Sequence, residues 1–342
     1  MTTFAEVEAM RRGARNAVRV CMNTRSEDRV AIIGDRQSYS IARLLLEEAF
    51  NVGARAEVFT LETFGRRPLR ELPAKLVKSL RAMRPTVTFF TAAAEEGEIT
   101  FRMKLLRLLT QDLKARHGHM VGITPQIMRE GMAADYRKVE RVTRAVYEIV
   151  RRCTEIRAVS PDGTDLVARF SPHLRWIPST GIYHQPGQWG NLPDGEVFTC
   201  PVVVNGTLAA RVAGDFFSER YGYLDEPLIV TVEEGRLVDA TGPSPLAREF
   251  LEYVRSVENG DRVGEFAIGT NVGLQRIIGN LLQDEKFPGV HIAFGNPYPH
   301  ETGADWASAI HVDVVSPHTT VWVDGDLIME NGKFNFDVVQ LD

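Results

Sequence analysis

Five side chains able to bind a metal or carry a proton stand inside short apolar runs in the second half of the sequence. In AIHVDVV (309–315), His311 and Asp313 are two apart, and residues i and i+2 of a strand project to the same face. RVGEFAIG (262–269) holds Glu265, and GVHIAFG (289–295) holds His291. NLPDGEVFTCP (191–201) puts Glu196 where a Pro/Gly turn meets an apolar strand. Burying a charge costs several kcal/mol unless it is paired or bound to metal. Three carboxylates and two imidazoles at poorly hydrated positions therefore call for a shared cation.

A charge count narrows the chemistry. Ionised Glu196, Glu265 and Asp313 carry three negative charges. Two divalent ions leave one positive charge, which a hydroxide cancels, and such a pair of ions is how two-metal hydrolases activate water. Mixed histidine and carboxylate donors suit zinc, cobalt or manganese better than calcium or magnesium. The count holds if the five residues converge.

The elements that must bring them together follow from hydrophobic rhythm. In the first half, strands and helices alternate: RVAIIG (29–34), the helical 39–53, the strand 54–61, helix 74–83, strand 86–92, helix 101–116, strand 118–124 and the long helix 135–153. Repeated βα units predict an α/β domain with a mostly parallel sheet over 1–154. From 155 the pattern becomes hairpins, at 155–170, 228–242 and 319–334, with one helix at 244–257. That predicts a β-rich α+β domain over 155–342, holding the metal site. IIGDRQS has a lone glycine, so it reads as a turn and not as a nucleotide-binding loop.

Composition excludes several classes. The chain has 342 residues, 25% charged, with a net charge of −5 and no basic run, which gives no reason to expect nucleic acid. Three cysteines far apart argue against a disulfide framework or thiolate zinc and fit a reducing compartment. The first residues read as an amphipathic helix with no signal-peptide core, and no apolar run is long enough for a membrane span, so cytoplasm is expected.

Taken together, NLPDGEVFTCP, VGEFAIGTN, HIAFGNPYP and HVDVVSP resemble, in that order, the aminopeptidase T family of dinuclear metallo-aminopeptidases. SPDGTDLVARF (160–170) resembles the opening of its catalytic domain, and the likeness covers about 155–333. The resemblance implies two divalent ions held by Glu196, Glu265, His291, His311 and Asp313. It also implies a small peptide or small amide substrate and a homodimer. Activated hydroxide would attack the first peptide carbonyl. Glu265 would shuttle the proton, and Tyr298, seven residues after His291, would donate to the oxyanion.

There are departures. His291 and His311 are only 20 apart, so the loop between them is trimmed and peptide specificity is open. The 2,5-dihydroxypyridine dioxygenases look like this family with a single iron. They keep H-x-D, carry histidine where this chain has Glu265, and lack the glutamate matched by Glu196. A 2-His-1-carboxylate set suits mononuclear iron. Both glutamates here favour the dinuclear hydrolase; Fe(II) and a ring-cleaving dioxygenase are the alternative, with a non-catalytic relative of the scaffold a third.

Other polar residues read more plainly. His184 and Trp189, in YHQPGQWGNLP, could border a substrate pocket, and His300 could stand at its rim. His117 and His119 in RHGHM (116–120), and the acidic AAAEEGEITF (92–101), read as solvated connections.

Overall fold

RVAIIG forms the strand Arg29–Gly34, and parallel neighbours Arg55–Thr60 and Val87–Phe90 pair with it on either side. Arg116–His119 and then Trp189–Asn191 extend this parallel sheet to five strands. The computed structural model describes residues 4–93, 95, 97–214 and 216–339. By compactness the chain divides into two units, 1–137 with 181–194, and 138–180 with 195–342. The boundary expected at 154/155 differs from this division. Val142, Val146 and Val150 of the helix Tyr136–Val150 belong to the apolar cluster of the second unit, and the 181–194 segment returns a strand to the first.

The first unit buries Ile33, Phe59, Leu76, Leu80, Phe90, Phe101, Leu105 and Leu109 in one cluster, supplied by strands and by one face of each helix. The helix expected at 101–116 is Ile99–Arg107 followed by a wider turn, Leu108–Asp112, closed by the Leu113 amide donating to the Leu108 carbonyl at 2.9 Å. RHGHM is not a solvated connection: His117 and His119 lie buried in the fourth strand. The structure supplies what two buried imidazoles need. His117 Nδ1 bonds Thr88 Oγ1 at 2.8 Å, its Nε2 bonds His119 Nδ1 at 3.2 Å, and the His119 ring stacks on Phe90 at 5.4 Å. Glu98 also departs from expectation. It is fully buried and grips Arg67, which in turn bonds Asp35 at 2.5 Å, so the IIGDRQS turn ends in a buried ion triad. Residues 94 and 96 of the acidic stretch lie outside the described residues.

The second unit is built of two antiparallel sheets, of eight and six strands. The six-stranded sheet includes, side by side, Glu196–Thr199, Val263–Gly269, Gly289–Gly295 and His311–Pro317. One face of this sheet gives Val197, Phe266, Ile268, Ile292, Phe294, Val312 and Val314 to a core shared with Ile156, Leu166, Val204 and Leu208 of the larger sheet. The three strands from Val263 to Pro317 are buried almost throughout, so their second face is covered as well. Among the described residues no helix is long and apolar enough to cross a membrane.

Candidate metal centre

Strand alternation decides which residues share the second face. Glu196 pairs in register with Gly269, Phe198 with Ala267, and Ala267 with His291. Ala293 pairs with Glu265 on one side and Asp313 on the other, and Gly295 pairs with His311. Paired residues project to one face, so Glu196, Glu265, His291, His311 and Asp313 all stand on the face opposite the core. Ala267, Gly269, Ala293 and Gly295 stand beside them on this face, and their small size leaves room for the polar side chains, with Phe198 and Val315 flanking the group.

The five converge into two groups that share one member. Glu196, Glu265 and His291 form the first; Glu265, His311 and Asp313 form the second. His291 Nε2 lies 3.4 Å from Glu196 Oε2 and 3.4 Å from Glu265 Oε1. His311 Nε2 lies 3.8 Å from Glu265 Oε2 and 3.6 Å from Asp313 Oδ1. These gaps are long for hydrogen bonds. Donors about 2.0–2.1 Å from one ion in tetrahedral geometry stand ~3.4 Å apart. His291 Nε2 is buried with no hydrogen-bond partner, which fits a donor set arranged for a cation.

Tautomer and field reinforce the fit. His311 Nδ1 donates to the Asn296 carbonyl at 2.8 Å, which leaves Nε2 with the lone pair toward the carboxylates. Burial opposes a charge on His291, but Glu265, Glu196 and Asp313 outweigh it and push the imidazole up to about 9. Burial is likewise outweighed at His311, where Asp313 and Glu265 push the imidazole up to about 10. The cluster attracts positive charge from either source.

Tyr298 packs its ring 4.6 Å from His311 and 6.0 Å from Phe198. Its backbone is left-handed, φ +51°, a conformation that bulky residues rarely adopt and that clusters at functional sites. Burial of the hydroxyl, and then the charges of Glu265, Asp313, Glu285 and Glu196, raise its pKa well above 10. His300 is exposed on the short helix Pro299–Thr302 and stands outside both groups. His184 and Trp189 belong to the first unit; His184 Nε2 donates to the Val20 carbonyl at 2.8 Å, and Trp189 is exposed.

Two residues at the centre escaped the sequence reading. Lys286 is buried, its Nζ 2.6 Å from Glu196 Oε1 and 2.8 Å from Glu285 Oε1. In LLQDEKFPG these charges look like those of any solvated turn. The one local hint is Gly269, where a Cβ would fall 2.0 Å from the Phe287 carbonyl oxygen, because the 286–287 backbone crosses directly over it.

Comparison with known proteins shows the family and the fold. Residues 14–269 match the family model described as NicX: 2,5-dihydroxypyridine 5,6-dioxygenase. The chain belongs to the NicX family. The span holds Glu196 and Glu265 and ends before His291, His311 and Asp313. Two solved structures share the fold. The 2,5-dihydroxypyridine dioxygenase of Pseudomonas putida KT2440 superposes with a TM-score of 0.68 at 15% identity, covering 95% of this chain and 96% of that one. AmpT of Thermus thermophilus superposes with a TM-score of 0.68 at 19% identity, covering 96% of this chain and 99% of that one. No curated protein matches the chain. This NicX-family chain thus has the mixed α/β fold of both relatives, as the motifs implied.

Proposed function

We propose that the protein is a metal-dependent hydrolase that cleaves the amide bond next to a free amine in a small peptide or related small amide. The observation that carries this reading is Glu265, whose two oxygens face different histidines, Oε1 toward His291 and Oε2 toward His311. A carboxylate placed so is suited to join two ion positions. Glu196, Glu265 and His291 would hold one divalent ion, and Glu265, His311 and Asp313 the other. When bound, such ions supply an acidified water and polarise the scissile carbonyl.

The chain's own groups do the rest. With both oxygens of Glu265 turned to ion positions, we assign it a ligand role in place of the proton shuttle. Tyr298 keeps its proton at neutral pH because its pKa is raised, so its hydroxyl can donate to a developing oxyanion. The strands Val263–Gly269 and Gly289–Gly295 are buried throughout, which keeps bulk water from Glu265 and His291, while Tyr298 stands at the exposed side of the site. A homodimer, zinc, cobalt or manganese as the ion, and a cytoplasmic setting belong to the same proposal.

Family membership favours a second reading, a ring-cleaving iron dioxygenase. Against it stand the donors themselves: each group has one histidine and two carboxylates, whereas mononuclear oxygenase iron prefers two histidines and one carboxylate. The deciding experiment compares zinc-, cobalt- or manganese-loaded protein on aminoacyl amides with Fe(II)-loaded protein on 2,5-dihydroxypyridine. Amide hydrolysis without oxygen uptake is expected. Oxygen uptake with iron and no hydrolysis with any metal would overturn the proposal.

A further inference from the structure

The two ion positions are not equivalent in charge. Neither Glu265 nor Asp313 has a lysine or arginine within ion-pair distance among the described residues; their ion-pair neighbours are His291 and His311. Glu196 differs. Its Oε1 accepts from the Lys286 ammonium at 2.6 Å, and that side chain is 1% exposed. Lys286 cannot swing clear easily. Its carbonyl accepts from the Asn271 amide at 2.9 Å, and the next carbonyl lies against Gly269, the register partner of Glu196. Glu285, 2.8 Å from the same ammonium, holds it from the other side.

We propose that Lys286 makes the centre unequal: Glu265, His311 and Asp313 take an ion tightly, while Glu196, Glu265 and His291 take theirs weakly and exchangeably. The inference rests on the reading of this cluster as a metal centre and deepens it. Three features act in the same direction. The ammonium occupies one Glu196 oxygen, so that carboxylate has only Oε2 to offer. It places a positive charge beside the position of a divalent cation, which repels it. And among the described residues the second group has a histidine whose lone-pair nitrogen is fixed by a backbone carbonyl, through His311 and Asn296. Partners of this kind, one bond removed from the ion, typically change metal affinity by about 10–100-fold.

The test is calorimetric titration of Zn²⁺ into metal-stripped, full-length protein, with no substrate present. Two steps are expected, the second weaker by about ten-fold or more. In Lys286→Met the weak step should tighten by about ten-fold with the tight step little changed. In Glu196→Gln the weak step should disappear and the tight one remain. Two equal steps in the wild type, an unaltered gap in Lys286→Met, or loss of the tight step in Glu196→Gln would overturn the inference and leave the metal reading standing. No zinc bound at either position would overturn both.

Discussion

Glu265 and Asp313 face each other across a single residue: each pairs in register with Ala293, from opposite sides of the strand Gly289–Gly295. A methyl group is all that separates two acids that converge with His311 on one position. Ala293→Leu should thrust a branched chain between them and weaken metal binding by about ten-fold or more. Ala293 is itself fully buried, so the added chain should also cost about 1–3 kcal/mol of stability, read by a thermal melt, with far-UV circular dichroism at 25 °C still that of the folded protein. Bound zinc after dialysis, measured by elemental mass spectrometry, checks this; wild-type zinc content in the variant would mean that Ala293 does not space the ligands.

Glu265→Gln keeps the shape of the side chain and removes its charge. Hydrolysis should fall by about three orders of magnitude, ~4 kcal/mol of barrier, with the metal-free protein still melting cooperatively, because the side chain keeps its volume. Steady-state kinetics beside a thermal melt separates the two effects, and full activity would remove Glu265 from the reaction.

Tyr298→Phe should leave metal content and KM near wild type and lower kcat by about 10²–10³-fold, the usual loss for one oxyanion donor. A variant with altered KM and unchanged kcat would mean that the phenol only helps to bind substrate.

The histidine pair of the first unit predicts acid sensitivity. Burial, and then the charge of Arg102, hold His119 down at about 3, against 6.5 for a free imidazole. Below pH 6.5 the unfolded chain takes up a proton that the folded one refuses until about pH 3, so stability falls as pH drops through that window. At pH 5 the loss from this residue is about 2 kcal/mol. Urea unfolding of wild type and His119→Gln at pH 7 and pH 5 isolates it: the variant should lose less stability between the two.

Much of this was legible in the sequence, because strand alternation is a strong signal. Phe266 and Ile268 against Glu265, Ile292 and Phe294 against His291, and Val312 and Val314 against His311 and Asp313 each separate a core face from a polar one. What escaped depended on contacts far apart in the chain. Lys286 meets Glu196 only because the backbone crosses over Gly269. His117 and His119 read as loop residues because their strand is polar by composition, and their burial is made tolerable by Thr88, Phe90 and one another. The helix Tyr136–Val150 was visible; the unit that it packs into was not.

The strand Trp189–Asn191 has a consequence for how the protein can be divided. The chain leaves the first unit after 137, returns for 181–194, and leaves again. No single cut therefore yields two whole pieces. A fragment ending at 154 would lack the fifth strand, and the backbone of Arg116–His119 would become an open sheet edge, the kind of surface on which chains stack into aggregates. The two units are covalently interleaved, so neither can be excised as one uninterrupted segment of the chain.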